Sequence, residues 1–412
     1  MNYYLLRLLI GIILFLPTYY DATNEKSDRN NWLDLTNADI VRVLIFSDIS
    51  SNNLFIDTRD ESLKIYTKNN TFTIQNRFKP LVIQRSGNLV EIPGLDIPIE
   101  SELLTIGSSN GQINFLSSEF GKKSYRGTIE LSVSPNTGKL QVINQVPLED
   151  YISSVAGSEM NFDSPEALKA QAVVSRSYAL WSIQSNRFKK YDITDNEMNQ
   201  VYLGLNVVKQ VHKEAVNSTR GEILTWNSKL VLAAYSSTCG GVTNPNETVW
   251  KGKSLPYLRS VNDRASCSIS PHFKWKYSIN KKTLFEQITR EYNFTPSTIH
   301  LKTGDHNRVL AVLLTDANSR EFALTGNDFR LFVNKHFGIY SIKSSRFTLH
   351  GSNNTIEFRG SGLGHGVGLC QYGALGFAKA GWDYKRILNF YFNNVKVVDF
   401  NRIENQKIAL AN

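Results

Sequence analysis

The sequence is poor in cysteine, in runs of basic residues and in paired metal ligands. Three cysteines in 412 residues are too few for a small scaffold held together by disulfides. No run of five or more Lys and Arg residues occurs, which argues against a nucleic-acid-binding arm. The seven histidines are scattered, and none pairs with Cys or His at the spacing of metal ligands. The sequence therefore predicts no bound metal, no cofactor and no nucleic-acid partner.

The composition is that of a folded protein with a diffuse positive charge. Apolar residues make up 41% of the chain and charged residues 20%, which argues against wholesale disorder. The 46 basic and 37 acidic residues leave a formal charge of +9, spread along the chain. A diffuse basic surface favours an anionic polymer or a lipid surface as partner.

The N-terminus carries the one apolar run that bears on localisation. About ten apolar residues follow Arg7, from Leu8 to Pro17, which is the size of a signal-peptide core and short for a membrane span. Because Arg7 is the only basic residue before this run and no Ala-x-Ala site follows, an uncleaved membrane anchor is the alternative. We expect residues 1–20 to be a signal peptide or N-terminal anchor. The rest of the chain is then exported to the periplasm or the extracytoplasmic cell envelope.

Short alternating runs separated by turn residues dominate the first third of the chain. Residues 21–38 are polar and predict a linker, and residues 39–120 predict a β-rich N-terminal domain. A hairpin is expected around Pro135–Gly138, between strands at Gly127–Val133 and Lys139–Ile143.

Helical signals follow the hairpin. We expect a short helix over Pro147–Val155, and a longer one that begins at Ser164 and Pro165, with Ser as N-cap and Pro in the first turn. A strand is expected over Leu230–Ala234, and helices over Ala374–Ala380 and Asp383–Phe390. The fold class predicted is α+β.

Glu159 is the first candidate for chemistry. It is expected in a loop between two helical segments, where a side chain can point into a cleft. The apolar neighbours Met160 and Phe162 could desolvate the carboxyl group and raise its pKa, as a general acid requires. A solvated or capping glutamate is the structural alternative.

Two further segments combine small residues with polar ones. Gln171 and Ser175 are four residues apart and share a helix face, where they could brace a site, although packing alone explains the Ala/Val content of this helix. The turn Ser237–Gly241 follows the expected strand and would let the backbone approach a ligand closely. Within it, Cys239 has no neighbouring His to activate it, so we favour a disulfide with Cys267 over a free thiol or a nucleophile.

A glycine-rich loop surrounds His365. Five glycines occur in the nine residues from Gly360 to Gly368, which predicts tight backbone geometry. No Gly-Lys-Ser/Thr follows, so the loop is not a phosphate loop. Either a structural or a functional histidine fits this pattern.

Taken together, these segments resemble the stage II sporulation protein D (SpoIID/LytB) family, and the resemblance covers roughly residues 122–395. The matching sequence segments are Val146–Tyr151, Gly157–Met160, Glu166–Val173, Arg176–Tyr178, Asp192, Gln200–Tyr202, Ser237–Gly241, Pro256–Leu258 and Gly364–Ala374. The resemblance implies a SpoIID-like domain over residues 121–395, followed by a tail over 396–412.

The resemblance also implies an activity, that of a peptidoglycan lytic transglycosylase. Such an enzyme cleaves the β-1,4 bond between N-acetylmuramic acid and N-acetylglucosamine, and the family's catalytic Glu corresponds to Glu159. One carboxyl group suffices, because the C6 hydroxyl of the muramic acid closes a 1,6-anhydro ring and no water attacks. We expect substrate-binding residues at the matched polar and glycine positions Lys169, Gln171, Arg176, Tyr178, Gln200, Ser237, Gly240, Gly241, His365 and Gln371.

In one segment the sequence departs from some relatives. Those relatives resemble zinc proteins just before the Gln-Val-Tyr match, whereas Thr194, Met198 and Asn199 stand at the corresponding positions here. None of these residues suits Zn²⁺, so we expect no structural zinc in this segment.

Two other functions stay open. The family's amidase-enhancer name implies a non-catalytic wall-binding protein that stimulates a cell-wall N-acetylmuramoyl-L-alanine amidase. Alternatively, the β-rich segment dominates the function as an adhesion or partner-binding module.

Overall fold

The computed structural model describes residues 32–34, 39–47, 53–57, 62–75, 79–95, 98–119, 121–185, 188–250, 252–352, 354–403 and 407–411. The chain forms two compact units. The first unit comprises Asp28–Leu232 and Val397–Ala411, and the second comprises Ala233–Lys396. The expected export segment 1–20 and most of the expected linker 21–38 lie outside the described residues.

The described strands are two to eight residues long. Those before residue 120 are β1 (Trp32–Asp34), β2 (Ile40–Ile45), β3 (Asn53–Asp57), β4 (Leu63–Tyr66), β5 (Thr71–Ile74), β6 (Leu81–Ser86), β7 (Leu89–Ile92), β8 (Ile99–Ser101), β9 (Leu103–Ser108) and β10 (Gln112–Ser117). The remaining strands of the first half are β11 (Gly121–Arg126), β12 (Thr128–Val133), β13 (Leu140–Pro147), β14 (Ile193–Thr194), β15 (Glu222–Trp226) and β16 (Lys229–Leu230). The last strands are β17 (Tyr235–Ser236), β18 (Trp275–Asn280), β19 (Thr298–Thr303), β20 (Val309–Thr315), β21 (Glu321–Thr325), β22 (Phe347–Gly351), β23 (Thr355–Gly360), β24 (Leu369–Cys370), β25 (Lys396–Asp399) and β26 (Lys407–Ala409).

The described α-helices all follow the β-rich segment. They are α1 (Leu148–Glu159), α2 (Pro165–Ser185), α3 (Gln210–Ser218), α4 (Lys281–Tyr292), α5 (Gly326–Phe337), α6 (Gln371–Lys379) and α7 (Tyr384–Tyr391). The predicted α+β class is therefore confirmed. Among the helices that the structure describes, none combines the length and the apolar character that crossing a membrane requires.

Two large sheets build the first unit. One has the order β11-β10-β3-β6-β7-β8 and the other β14-β2-β13-β12-β9-β4-β5. In β2 the side chains of Val41, Val43 and Ile45 are buried and Arg42 between them is half-buried, which is the two-residue period of a strand with one face on the core. Buried side chains of both sheets and of α1 and α2 belong to one hydrophobic cluster.

The strand pairing continues across the domain boundary that the sequence suggested. β10 and β11 pair antiparallel from Gln112 opposite Arg126 to Ser117 opposite Gly121. The described residues on either side of the expected boundary thus pair with each other within the first unit. The expected tail over 396–412 contributes β25 and β26, and β26 pairs with β1.

Several local predictions are confirmed. β12 and β13 form the expected hairpin, with Gly138 at φ +65° in its turn. α2 begins at Pro165 as predicted, and the α7 N-cap Asp383 accepts a hydrogen bond from the Arg386 N–H at 2.7 Å. The α6 and α7 bounds lie within three residues of the predicted helices.

The predicted strand over Leu230–Ala234 is wrong beyond its first residue. β16 ends at Leu230, and the backbone hydrogen bonds of the following residues pass from its partner strand β15 to β24. The Val231 N–H donates to the Leu224 carbonyl in the first unit. The Ala234 carbonyl accepts from Leu369 in the second unit. No single neighbouring strand continues the ladder over this segment.

The second unit is built from three small sheets and four described helices. β17 pairs parallel with β24, and the two antiparallel sheets have the orders β18-β23-β22 and β19-β20-β21. Phe329 on α5 packs against Phe347 and Phe358 with ring centroids 6.3 and 6.0 Å away. This aromatic cluster lies in the core of the second unit.

Candidate functional site

Glu159 is the last residue of α1, so the predicted loop at this position is wrong. The helix runs on through Gly157, and the Val207 carbonyl packs against this glycine; a Cβ at Gly157 would lie 2.6 Å from that oxygen. The Glu159 side chain is half-buried, and its Oε1 accepts a hydrogen bond from the Val201 N–H at 2.9 Å. Met160 ends the helix in an extended conformation and is fully buried.

The segment after Gln200 fixes the end of α1 at several points. Ser154 Oγ donates to the Gly204 carbonyl at 2.7 Å, and the Leu203 N–H donates to Ser158 Oγ at 3.3 Å. With the Val201–Glu159 hydrogen bond, three contacts hold this segment against one helix. The carboxyl group is therefore held by the backbone of a neighbouring segment.

A buried polar network lies beside Glu159. Gln171 Nε2 donates to Ser175 Oγ at 2.9 Å, which confirms that these residues share a face of α2. Tyr151 Oη donates to Gln200 Oε1 at 3.0 Å, and Gln200 Nε2 contacts the Ser175 carbonyl at 3.5 Å. Burial, followed by the neighbouring Tyr178, Tyr202, Glu159 and Asp195, raises the pKa of Tyr151 well above its ordinary value, so the hydroxyl keeps its proton.

Arg176 makes contacts of a structural kind. Its side chain is fully buried and forms a two-pronged ion pair with Glu149, with N–O distances of 2.9 and 2.7 Å. It also donates to the Glu222 carbonyl at 3.0 Å. These bonds join α2 to the start of α1 and to β15.

Lys169 and Tyr178 are more accessible. Lys169 Nζ lies 2.7 Å from Glu166 Oε1 one turn earlier on α2. Tyr178 Oη accepts a hydrogen bond from Asn199 Nδ2 at 2.9 Å. Both side chains are half-buried.

Hydrogen bonds within the segment Asp192–Gln200 join residues near its two ends. Asn199 Oδ1 accepts from the N–H and the hydroxyl of Thr194, at 3.1 and 2.8 Å, and Met198 is 70% exposed. Asp192 pairs with Arg42 on β2 at 2.8 Å. An amide oxygen and a hydroxyl group thus join Thr194 and Asn199, two of the three residues that stand where zinc ligands would be.

In the second unit, the glycine-rich loop lies against the turn that contains Ser237. Thr238 and Leu363 exchange backbone hydrogen bonds of 3.1 and 2.8 Å. A Cβ at Gly362 would lie 2.5 Å from the Thr238 carbonyl. The predicted tight geometry is therefore confirmed, because only glycine allows these two backbones to touch.

The turn itself adds two more glycines with positive φ. Gly240 has φ +74° and its Cβ would meet Ser361 at 2.8 Å, while Gly241 has φ +104°. Arg346 Nη1 donates to the Gly240 carbonyl. Ser237 is half-buried, and its carbonyl accepts from the Tyr372 N–H at 3.0 Å. Gln371, the first residue of α6, is buried.

His365 is held inside this loop as a neutral side chain. Burial, reinforced by Arg330 and Arg308, lowers its pKa to about 4. Nδ1 accepts from the Val367 N–H at 3.0 Å, which leaves the proton on Nε2. The ring lies 4.9 Å from the Trp250 ring, centroid to centroid. These contacts tie the loop to its own unit.

The three cysteines meet at one buried point. Cys239 Sγ lies 3.7 Å from Cys267 Sγ without a bond between them, and 3.1 Å from Asp263 Oδ2. The sulfur of Cys370 is also within 4.8 Å of the other three donor atoms. Burial raises the pKa of Cys239 and of Cys370, and raises that of Asp263 to about 7. The predicted disulfide stays a prediction.

The sequence-predicted residues thus fall into two groups, one in each unit. Glu159, Lys169, Gln171, Arg176, Tyr178 and Gln200 belong to the first unit, and Ser237, Gly240, Gly241, His365 and Gln371 belong to the second. Sequence reasoning missed Glu149 as the partner of Arg176 and Asp263 as the companion of the cysteines. A buried Arg needs an acid, but its position along the chain carries no local signal.

The first group defines a class of protein: a mixed α+β protein with a half-buried glutamate at a helix end, held by a backbone N–H and lying beside a buried polar network. The family model described as stage II sporulation protein matches residues 136–226, the stretch that contains Glu159, Gln171 and Gln200.

Relatives extend the match beyond that stretch. An uncharacterized protein of Brachyspira hyodysenteriae is 34% identical over 66% of this chain and 72% of its own. Stage II sporulation protein D of Bacillus amyloliquefaciens is 30% identical over 62% of this chain and 75% of its own. A Bacillus subtilis protein named amidase enhancer is 28% identical over 68% of this chain and 44% of its own. The chain belongs to the stage II sporulation protein D family.

Proposed function

We propose that this protein is an exported lytic transglycosylase that cleaves glycan strands of peptidoglycan with Glu159 as its acid and base. Family membership and the relative named amidase enhancer support a function connected with the cell wall. The observation that carries the finer proposal is the half-buried Glu159 carboxyl group, oriented by the Val201 N–H inside the family-matched segment.

One carboxyl group can perform both proton transfers of this reaction. Glu159 protonates the glycosidic oxygen as the bond to the anomeric carbon breaks, and the N-acetylglucosamine chain leaves. The resulting carboxylate then accepts the proton of the muramic C6 hydroxyl, whose oxygen bonds to the anomeric carbon. The product carries a 1,6-anhydro-N-acetylmuramic acid end, and no water is consumed.

The buried polar network supports the geometry that this chemistry needs. A catalytic carboxyl group transfers a proton efficiently only when surrounding hydrogen bonds hold it in the correct orientation. The hydrogen-bonded chain from Tyr151 through Gln200 to Ser175 and Gln171 braces the residue next to Val201. Lys169 and Tyr178, which are half-buried, are proposed to contact the glycan from the first unit. For the second unit, taken by itself, Ser237 and the glycine-rich loop are proposed as separate glycan contacts.

Glu159→Gln provides the direct test. The variant keeps the size of the side chain and an oxygen to accept from Val201, but it has no acidic proton. Purified glycan strands stripped of stem peptides are digested, and anhydromuramyl ends are counted by mass spectrometry. We expect a loss of at least ~100-fold. Glu214→Gln, an exposed acid on α3, is the matched control and should match wild type.

A wild type that releases no anhydromuramyl ends, or a Glu159→Gln variant as active as wild type, contradicts the proposal. The second candidate function would then apply, which the relative named amidase enhancer favours. In that case the protein binds glycan without cleaving it and raises the rate of an added N-acetylmuramoyl-L-alanine amidase. Glu159→Gln should then stimulate as well as wild type does.

Export is part of the proposal and has its own test. The apolar run after Arg7 supports a signal peptide or membrane anchor. Cell fractionation should find the protein in the cell envelope or outside the cytoplasm, and a protein confined to the cytoplasm would contradict export.

A further inference from the structure

Four potential metal ligands from distant parts of the chain converge inside the second unit. Cys239 lies in the turn after β17, and Asp263 and Cys267 flank the start of a short 3₁₀ helix, Ser266–Ile269. Cys370 is the N-cap of α6. The three sulfur atoms and one carboxylate oxygen all lie within 4.8 Å of one another, and all four residues are buried.

The spacing of these atoms suits a small tetrahedral ion. With Zn–S bonds of 2.3 Å, the sulfur atoms of a tetrahedral zinc site lie about 3.8 Å apart. The observed separation of Cys239 and Cys267 sulfurs is 3.7 Å, and Asp263 Oδ2 lies 3.1 Å from Cys239 Sγ. Three sulfurs and one oxygen are donors that Zn²⁺ accepts.

Backbone groups around the cluster are placed as they are around metal-bound thiolates. The N–H groups of Cys239 and Gly373 both point at Cys370 Sγ, at 3.2 and 3.3 Å. The Ala265 N–H donates to Asp263 Oδ1 at 3.0 Å, so that Oδ2 is the oxygen that faces the sulfurs. Such outer contacts orient ligands and stabilise their charge.

A buried hydroxyl beside the cluster adds an independent observation. Tyr391 Oη is buried and has no hydrogen-bond partner among the described residues. It abuts Gly373, where a Cβ would lie 1.9 Å from this oxygen and 3.1 Å from Asp263 Oδ2. A buried hydroxyl without a protein partner is uncommon, and this one lies directly beside the cluster.

We propose that Cys239, Asp263, Cys267 and Cys370 bind one Zn²⁺ ion with a structural role. All four coordination positions are taken by protein atoms, which is typical of structural zinc. The ion ties the Ser237–Gly241 turn to the start of α6 and to the 3₁₀ segment. This site is separate from the Asp192–Gln200 segment, and the proposal is independent of the activity assigned to Glu159.

A disulfide between Cys239 and Cys267 is the competing arrangement, because both need the same two sulfur atoms. The zinc site needs Cys370 and Asp263 as ligands, whereas the disulfide does not involve either residue. They also differ in the number of free thiols after unfolding, three for the metal site and one for the disulfide.

The full chain, produced in zinc-supplemented medium and purified without chelator, decides between them. Zinc is measured by mass spectrometry of the elements, and thiols are titrated after denaturation with chelator. We expect about one zinc ion and three thiols per chain. Replacement by Co²⁺ should give the intense visible absorption of tetrahedral cobalt–thiolate coordination.

Variants identify the ligands. Cys370→Ser and Asp263→Asn should each lose most of the bound zinc, whereas the control Asp305→Asn, an exposed residue of the same unit, should keep it. One thiol per unfolded chain overturns the proposal in favour of the disulfide. Three thiols without zinc, iron with acid-labile sulfide in place of zinc, or full zinc in Cys370→Ser also overturn it. Should Cys370→Ser not fold, the wild-type metal and thiol counts still decide.

Discussion

Arg176 and Lys169 lie on the same helix and each pairs with a glutamate, but their surroundings differ. The Arg176 side chain is fully buried and its partner Glu149 is 14% exposed, whereas Lys169 and Glu166 are 26% and 31% exposed. Water screens the second pair and not the first. The two pairs therefore differ in what they contribute to stability.

Removing the buried cation should be costly. Arg176→Met leaves the Glu149 carboxylate and the Glu222 carbonyl without their donor, and we expect the free energy of unfolding to fall by about 3–5 kcal/mol. Lys169→Met should change it by at most ~1 kcal/mol. Urea denaturation of both variants measures the difference.

A second substitution tests the cause of that loss. Glu149→Leu added to Arg176→Met removes the unpaired carboxylate and should recover part of the stability. Equal losses in Arg176→Met and Lys169→Met would show that burial of the pair does not matter.

At the scale of elements, α1 matters because its last turn carries Glu159. Helix propensity alone favours Gly157→Ala by about 1 kcal/mol. The added Cβ, however, would lie 2.6 Å from the Val207 carbonyl and 3.0 Å from His212 Nδ1. Backbone atoms cannot give way as a flexible side chain can, so the steric cost should exceed the gain in propensity.

We therefore expect Gly157→Ala to lower the urea midpoint and to reduce anhydromuramyl release by displacing Glu159. Gly107→Ala in β9 is the control, because its Cβ would meet only Thr128 Cγ2 at 3.6 Å, an ordinary contact. A Gly157→Ala variant at least as stable as wild type would show that the 204–207 segment moves easily. The absence of a side chain at Gly157 would then not be required to keep the end of α1 in place.

At the scale of the whole molecule, the sequence predicts those structural features that are determined by residues adjacent in the chain. The Pro135–Gly138 turn and the Ser164-Pro165 helix start carry their own signals, and both are confirmed. The loop expected at Glu159 is wrong, and the close approach of Val207 to Gly157, from 50 residues further along the chain, leaves no local trace in the sequence. Cys239 and Cys370 are 131 residues apart, so their contact also depends on the tertiary fold.

The net charge is a property of the whole chain and leads to a prediction about retention. Forty-six basic and 37 acidic residues leave +9, without any concentrated basic run. Cell-wall peptides and polymers carry carboxylates and phosphates, so a diffuse positive charge should hold the protein near the wall. Attraction of this kind is long-range, and salt reduces it because the Debye length falls from about 10 Å at 0.1 M to about 3 Å at 1 M.

We expect sedimentation with intact cell-wall fragments to fall several-fold between these two salt concentrations. Isolated glycan strands have lost the stem peptides and wall polymers and keep one lactyl carboxylate per disaccharide. Binding to them should change less, because the proposed site recognises the sugar mainly through hydrogen bonds. Glu159→Gln should respond to salt as wild type does, since catalysis plays no part in retention. Wall binding that is equally strong at both salt concentrations would mean that specific contacts, and not the +9 charge, keep the protein at the wall.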